Sequence, residues 1–250
     1  SIINMNVYII MGFFFSFTSL LFLIYSVFAL ITKKFEDYNY KVFSIHDLVN
    51  FAQLVIYIIF FVLAFILTPT TVSGSSMNAT LFDEDKLLIW HMDYVPERDD
   101  IVVIDINENY KYKNELEKYP NNAVPEEFYI KRIVATSGDV LKYEGNSFEG
   151  LIGDVYLNDS ETPVATRVTI TQFKKMGTAI FLDECFMENN TIVVPDGCSV
   201  VLGDNRGNSI DSRYIGLIKN SDILGKAVFR YFSKNANFGK ITKSIQEIKE

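Results

Sequence analysis

Phe128-Tyr129-Ile130-Lys131-Arg132-Ile133-Val134 sets two cations side by side in a run of aromatic and β-branched residues. Such residues fit a pleated, half-buried surface, so the run reads as a strand. Alternation puts Tyr129, Lys131 and Ile133 on one face and Phe128, Ile130, Arg132 and Val134 on the other. Each face then carries one cation among apolar groups, and alternation leaves open which of the two is buried. Burial disfavours an ammonium and yields a free amine that can take a proton. A guanidinium cannot serve as a base, so if either cation is catalytic it is Lys131. The competing reading is a lysine that snorkels to the domain edge.

Working outward, similar short runs recur at Leu87–Trp90, Ile101–Ile104, Thr191–Val194, Ser199–Leu202 and Lys226–Phe232, bounded by Gly, Asp, Asn or Pro. No long segment here has a clean helical period. The expected fold class is mostly β, a Greek-key or barrel-like domain over residues 70–250. The less regular stretch from about 142 to 195 reads as an inserted β subdomain, and polar Asn107–Glu127, with Pro120 and Pro125, reads as a loop.

The first third of the chain is different. No charged residue precedes Lys33, and none lies between Asp47 and Asp83. A helix needs about 20 apolar residues to cross a bilayer, and both uncharged blocks supply them. Residues 1–32 are expected to hold one transmembrane helix and residues 48–69 a second, joined by a cytoplasmic loop over 33–47. Lys33, Lys34 and Lys41 in that loop fit the rule that Lys-rich short loops stay inside. The β-rich domain is then extracytoplasmic.

The formal net charge is −8. An acidic exported domain argues against a nucleic-acid partner, which requires a basic face. Three asparagines, Asn78, Asn158 and Asn189, stand in glycosylation patterns. A glycan on Asn78 would crowd its neighbours, which favours a bacterial setting. The two cysteines, Cys185 and Cys198, are either a disulfide or two thiols. Of the two histidines, His46 falls in the expected cytoplasmic loop. A His-dependent triad would rest on His91 alone, and no metal-ligand spacing is present. A serine hydroxyl needs a neighbouring base, which returns attention to Lys131.

The order of motifs is informative. Val72-Ser73-Gly74-Ser75-Ser76-Met77 follows the second apolar block, then come Arg98-Asp99-Asp100-Ile101-Val102-Val103 and the Lys131 strand. Gly203-Asp204-Asn205-Arg206-Gly207-Asn208-Ser209-Ile210-Asp211-Ser212-Arg213-Tyr214-Ile215-Gly216 closes the series. From Pro69 to Phe232 this resembles the bacterial type I signal peptidases (leader peptidases), whose pattern G-D-N-R-x-x-S-x-D-S-R-x-x-G is complete here.

The resemblance implies a membrane-bound serine endopeptidase that removes signal peptides from exported preproteins after small residues of the A-x-A type. It implies Ser76 as nucleophile, with adjacent Ser75 as the minor alternative, and Lys131 as general base. Ser209 would orient Lys131. The oxyanion hole would use the Ser76 N–H with help from position 74, where Gly74 offers no hydroxyl. Arg132, Asp204, Arg206, Asp211 and Arg213 would form an ion-paired scaffold. Val72 and Ile130 are expected to line shallow substrate pockets. No cofactor is implied, and the expected partners are signal peptides and the bilayer, with the chain acting as a monomer in the bacterial cytoplasmic membrane. Ala79, Glu84, Asp99, and Ala135 and Ser137 in the stretch Ala135-Thr136-Ser137-Gly138-Asp139 depart from the family pattern, at positions expected in turns. Two rivals are a self-cleaving repressor of similar fold, disfavoured by the apolar blocks, and an inactive tethered β domain.

Overall fold

The computed structural model describes residues 66–241, apart from 107–127, 147–149, 159, 183 and 236–237, together with scattered helical positions between 24 and 62. The chain divides into two units, residues 1–65 and 66–250. The calls on 1–32 and 33–47, and most of the call on 48–69, lie outside the described residues. Among the described residues no helix is long and apolar enough to cross a membrane. Leu48, Phe51, Leu54 and Ile58 are exposed; Leu48, Phe51, Leu54 and Ile58 are also helical.

The second unit is mostly β and antiparallel. Its strands are β1 Leu67–Thr71, β2 Lys86–Trp90, β3 Ile101–Asp105, β4 Phe128–Thr136, β5 Val140–Gly145, β6 Ile152–Leu157 and β7 Pro163–Thr169. Helix α1 (Ile170–Met176) is followed by β8 Thr178–Ala179, β9 Glu184–Cys185, β10 Met187–Glu188, β11 Thr191–Val193 and β12 Cys198–Leu202. Helix α2 (Ser212–Ile215), β13 Ile218–Lys219, β14 Ile223–Phe232 and β15 Gly239–Lys240 complete it. One sheet runs β1-β2-β14-β3-β4-β12-β13, with β15 beside β14, and a second runs β10-β11-β5-β6-β7. The second sheet draws all its strands from the stretch read as an insertion.

Two boundaries differ from the sequence reading. Residues 67–69, expected to end a helix, lie in β1, paired with β2 from Leu67↔Trp90 to Thr71↔Lys86. Pro69 is tolerated because β1 is an edge strand. Helix α1 was hidden by its length, yet Thr169 caps it, accepting from Gln172 N while the Gln172 side chain accepts from Thr169 N.

Strand β4 is the wall between two cores. Tyr129 and Ile133 pack with Val102, Ile104, Val201 and Ile215 on one side. Val134 packs with Leu141, Phe173, Met176 and Val200 on the other. Both cations of β4 are therefore buried, Lys131 at 4% exposure and Arg132 at 2%. The snorkelling reading is excluded by that burial.

Candidate active site

The turn that carries Ser76 is tied at its base and on both flanks. Val72 N–H donates to Asp85 O at 2.8 Å and Glu84 N–H to Val72 O at 3.0 Å. Within the loop, Thr80 and Leu81 N–H both reach Met77 O. Met77 is 1% exposed and anchors the turn in the core. Three consecutive acids close it. Asp83 accepts from Gly74 N–H at 2.9 Å, Glu84 pairs with Lys234, and buried Asp85 accepts from Phe82 N–H at 3.0 Å. Arg230 of β14 donates to Thr80 O at 2.9 Å. On the other flank Asn205 N–H donates to Ser76 O at 3.0 Å, and the Asn205 side chain donates to Ser75 O at 3.0 Å.

Pairing of β3 with β4 sets Lys131 opposite Val102. The Lys131 Nζ then stands 2.9 Å from Ser76 Oγ and 2.9 Å from Ile130 O, and 5.0 Å from the Tyr129 ring centroid. The hydroxyl and the amine come from positions 55 apart in the chain. Ser75 points elsewhere: its Oγ accepts from Asn208 Nδ2 at 2.8 Å.

One expected contact is not formed. Ser209 Oγ is buried and has no hydrogen-bond partner, so it does not engage Lys131. It is packed instead against Gly203, where an added Cβ would fall 2.1 Å from Ser209 Oγ and 2.6 Å from Ser76 O. That crowding is why glycine stands at 203. At position 74, expected to help an oxyanion, glycine offers no hydroxyl and its N–H is engaged by Asp83. The Ser76 N–H donates to no acceptor among the described residues.

The expected scaffold residues do come together. Arg132 Nε and Nη2 grip the two oxygens of Asp204 at 2.9 and 2.8 Å, and Arg132 Nη1 donates to Asp99 O at 2.7 Å. Arg213 grips Asp211 in the same way at 2.9 and 2.8 Å. Asp211 also accepts from Gly203 N–H at 3.0 Å, holding the loop that carries Ser209. Arg206 donates to the carbonyls of Gly203 and Val164. Val72 is buried and Ile130 half-buried. His91, the one candidate for a His-based reading, meets Thr68 Oγ1 at 3.0 Å, away from Ser76. Both cysteines are free, Cys185 exposed and Cys198 buried.

Sequence reasoning missed Asp83, Asn205, Asn208 and Arg230, which hold the Ser76 turn. Asn205 was legible as a member of the G-D-N-R motif, whereas Asn208 stands at a position the pattern leaves free. Asp83 and Arg230 gave no local signal.

The chain is similar to signal peptidase IB of Staphylococcus aureus, 29% identical over 182 residues, covering 70% of this chain and 83% of the relative. It is similar to a probable signal peptidase I-2 of Synechocystis sp., 29% identical over 177 residues, covering 67% of this chain and 64% of that protein. A crystal structure of a signal peptidase I from Enterococcus faecalis aligns with a TM-score of 0.29 at 20% identity, over 53% of this chain and 97% of that one. The family model described as signal peptidase, peptidase S26, matches residues 45–232, well over half of the chain. The chain belongs to the signal peptidase family, peptidase S26.

Proposed function

We propose that the protein is a type I signal peptidase, a serine endopeptidase that cuts signal peptides from exported preproteins with Ser76 as nucleophile and Lys131 as general base. The observation that carries this reading is the 2.9 Å contact between Lys131 Nζ and Ser76 Oγ at a site where the lysine is buried. Burial favours the neutral amine, and in that form the contact runs from the Ser76 hydroxyl to the amine. Lys131 takes the proton as Ser76 Oγ attacks the scissile carbonyl. The uncommitted Ser76 N–H faces the developing oxyanion, the kind of donor that is often the largest single catalytic contribution. The amine then returns its proton to the leaving nitrogen and activates water for deacylation. Once Ser76 is acylated, the unpaired Ser209 hydroxyl is the acceptor open to Lys131 and holds it in place.

The substrate binds as an extended strand, with main-chain hydrogen bonds giving affinity and shallow pockets selecting alternate side chains. Val72 and Ile130 line those pockets in this reading. Two spanning helices within residues 1–32 and about 48–66 anchor the extracytoplasmic domain in the bacterial cytoplasmic membrane. Support comes from the uncharged sequence of both blocks and from the exposed apolar side chains of Leu48, Phe51, Leu54 and Ile58.

A serine-directed acylating agent tests the site. Mass spectrometry is expected to place the adduct on Ser76 and to find it lost in Lys131→Ala. An adduct on Ser75 would transfer the nucleophile by one residue. Catalytic rate should rise with pH and level off well below the ordinary lysine range near 10.4; a rate that stays flat down to pH 5 contradicts a lysine base.

A further inference from the structure

Behind β4, on the side away from Ser76, a cleft of about 660 Å³ opens between the two sheets. Arg98, Arg132 and Arg206 line it with Asn158, Ser160 and Thr162. Its charges do not match pairwise. Arg132 takes both oxygens of Asp204 and Arg213 takes both of Asp211. Arg206 is left with two backbone carbonyls and touches no carboxylate among the described residues. Burial holds its guanidinium below the ordinary arginine range, against the opposing pull of nearby Asp204 and Asp211. Arg206 is half-buried and lines the cleft, so part of its guanidinium is open to a ligand there. Arg98 shares the lining, and its ion pair with Asp139 is loose at 3.7 Å with the arginine half exposed. Asp139 is already an acceptor for Thr136 N, Thr136 Oγ1 and Asn158 Nδ2. Asp99, the acidic residue in the lining, is solvent-exposed, so water and salt screen it.

We propose that this cleft binds a tetrahedral oxyanion of the phosphate type, either free phosphate or a phosphorylated headgroup, with Arg206 and Arg98 as the charged ligands. Guanidinium forks match such oxyanions in charge and geometry. Arg206 stands in the same loop as Asn205, which holds the Ser76 turn. A bound anion would therefore stiffen the loop that supports the candidate site.

Thermal unfolding of the full chain in dodecyl maltoside tests this. Inorganic phosphate, against sodium chloride at matched ionic strength, should raise the midpoint saturably, by about 5–10 °C at a hundredfold excess over Kd. The rise should vanish in Arg206→Gln. In Arg98→Gln, a half-exposed position, the apparent Kd should increase about tenfold or more. The second arm compares dioctanoylphosphatidylglycerol with dioctanoylglycerol. A rise with the phospholipid alone, lost on Arg206→Gln, identifies the headgroup as the source. If Arg206→Gln fails to fold, the Kd change in Arg98→Gln decides. No rise with either phosphate source, or a rise unchanged in the variants that fold, overturns the proposal and means that the chain's own carboxylates satisfy Arg206.

Discussion

Lys131 and Arg132 are neighbours on one strand and almost equally buried, at 4% and 2% exposure, yet they meet opposite surroundings. The Arg132 face offers a carboxylate whose two oxygens fit the guanidinium fork, and the pair is shut away at 2% and 1% side-chain exposure. A cation so held stays charged and serves as a tie between β4 and the 203–209 loop. The Lys131 face offers a hydroxyl and a carbonyl. Of these, the hydroxyl can donate to a neutral amine as well as accept from an ammonium, whereas a carboxylate only accepts. Burial is thus shared, and the partner decides whether a buried cation is structural or chemical.

Exchanging the cations breaks the comparison most sharply. Lys131→Arg keeps a long basic side chain but replaces the proposed base with a group that cannot take a proton, and should cut the rate of signal-peptide cleavage by about 10³-fold or more with folding retained. Arg132→Lys keeps the charge and loses the fork. It should cost about 2 kcal/mol in urea unfolding while leaving cleavage within about tenfold of wild type. If the two variants traded effects, the faces would have been misassigned.

Smaller changes sharpen the picture. Gly203→Ala puts a methyl where Ser209 Oγ and Ser76 O already crowd, and should lower kcat about 10²-fold by shifting the reacting geometry. Asp83→Ala removes the acceptor for Gly74 N–H, and a lost hydrogen bond of about 1 kcal/mol predicts a roughly fivefold fall in kcat. Asp83→Asn, which keeps an acceptor, should restore most of it. The least effect is on thiol chemistry. Buried Cys198, whose thiol burial pushes up, belongs to the core on the Val134 side. It should alkylate far more slowly than exposed Cys185, and Arg132→Lys should speed it while Lys131→Arg does not.

Much of this was legible in the sequence. The β4 strand declared itself by alternation, running Phe128–Thr136, two residues beyond the quoted Phe128–Val134. The runs at Ile101, Ser199 and Lys226 became β3, β12 and β14 with ends shifted by up to three residues. The scaffold pairs were legible only through the motif, because spacing does not reveal that Arg132 and Asp204 meet across 72 positions. Asp83, two residues from the base of a turn, looked like any solvated acid. Its partner is a backbone N–H that leaves no mark on composition. Arg230 was hidden by distance, since its acceptor Thr80 lies 150 residues away. Ser209 was read as bonded to Lys131, and its unpaired hydroxyl follows from packing against Gly203 that no pattern displays.

The most direct test of the central claim is cleavage of a test preprotein ending its signal in A-x-A, in lipid or detergent, by the wild type, Ser76→Ala and Lys131→Ala. The account predicts cutting after the A-x-A by the wild type and none by either variant, each variant unfolding like the wild type. Cutting that survives Ser76→Ala, or a wild type that leaves the preprotein whole, would contradict it.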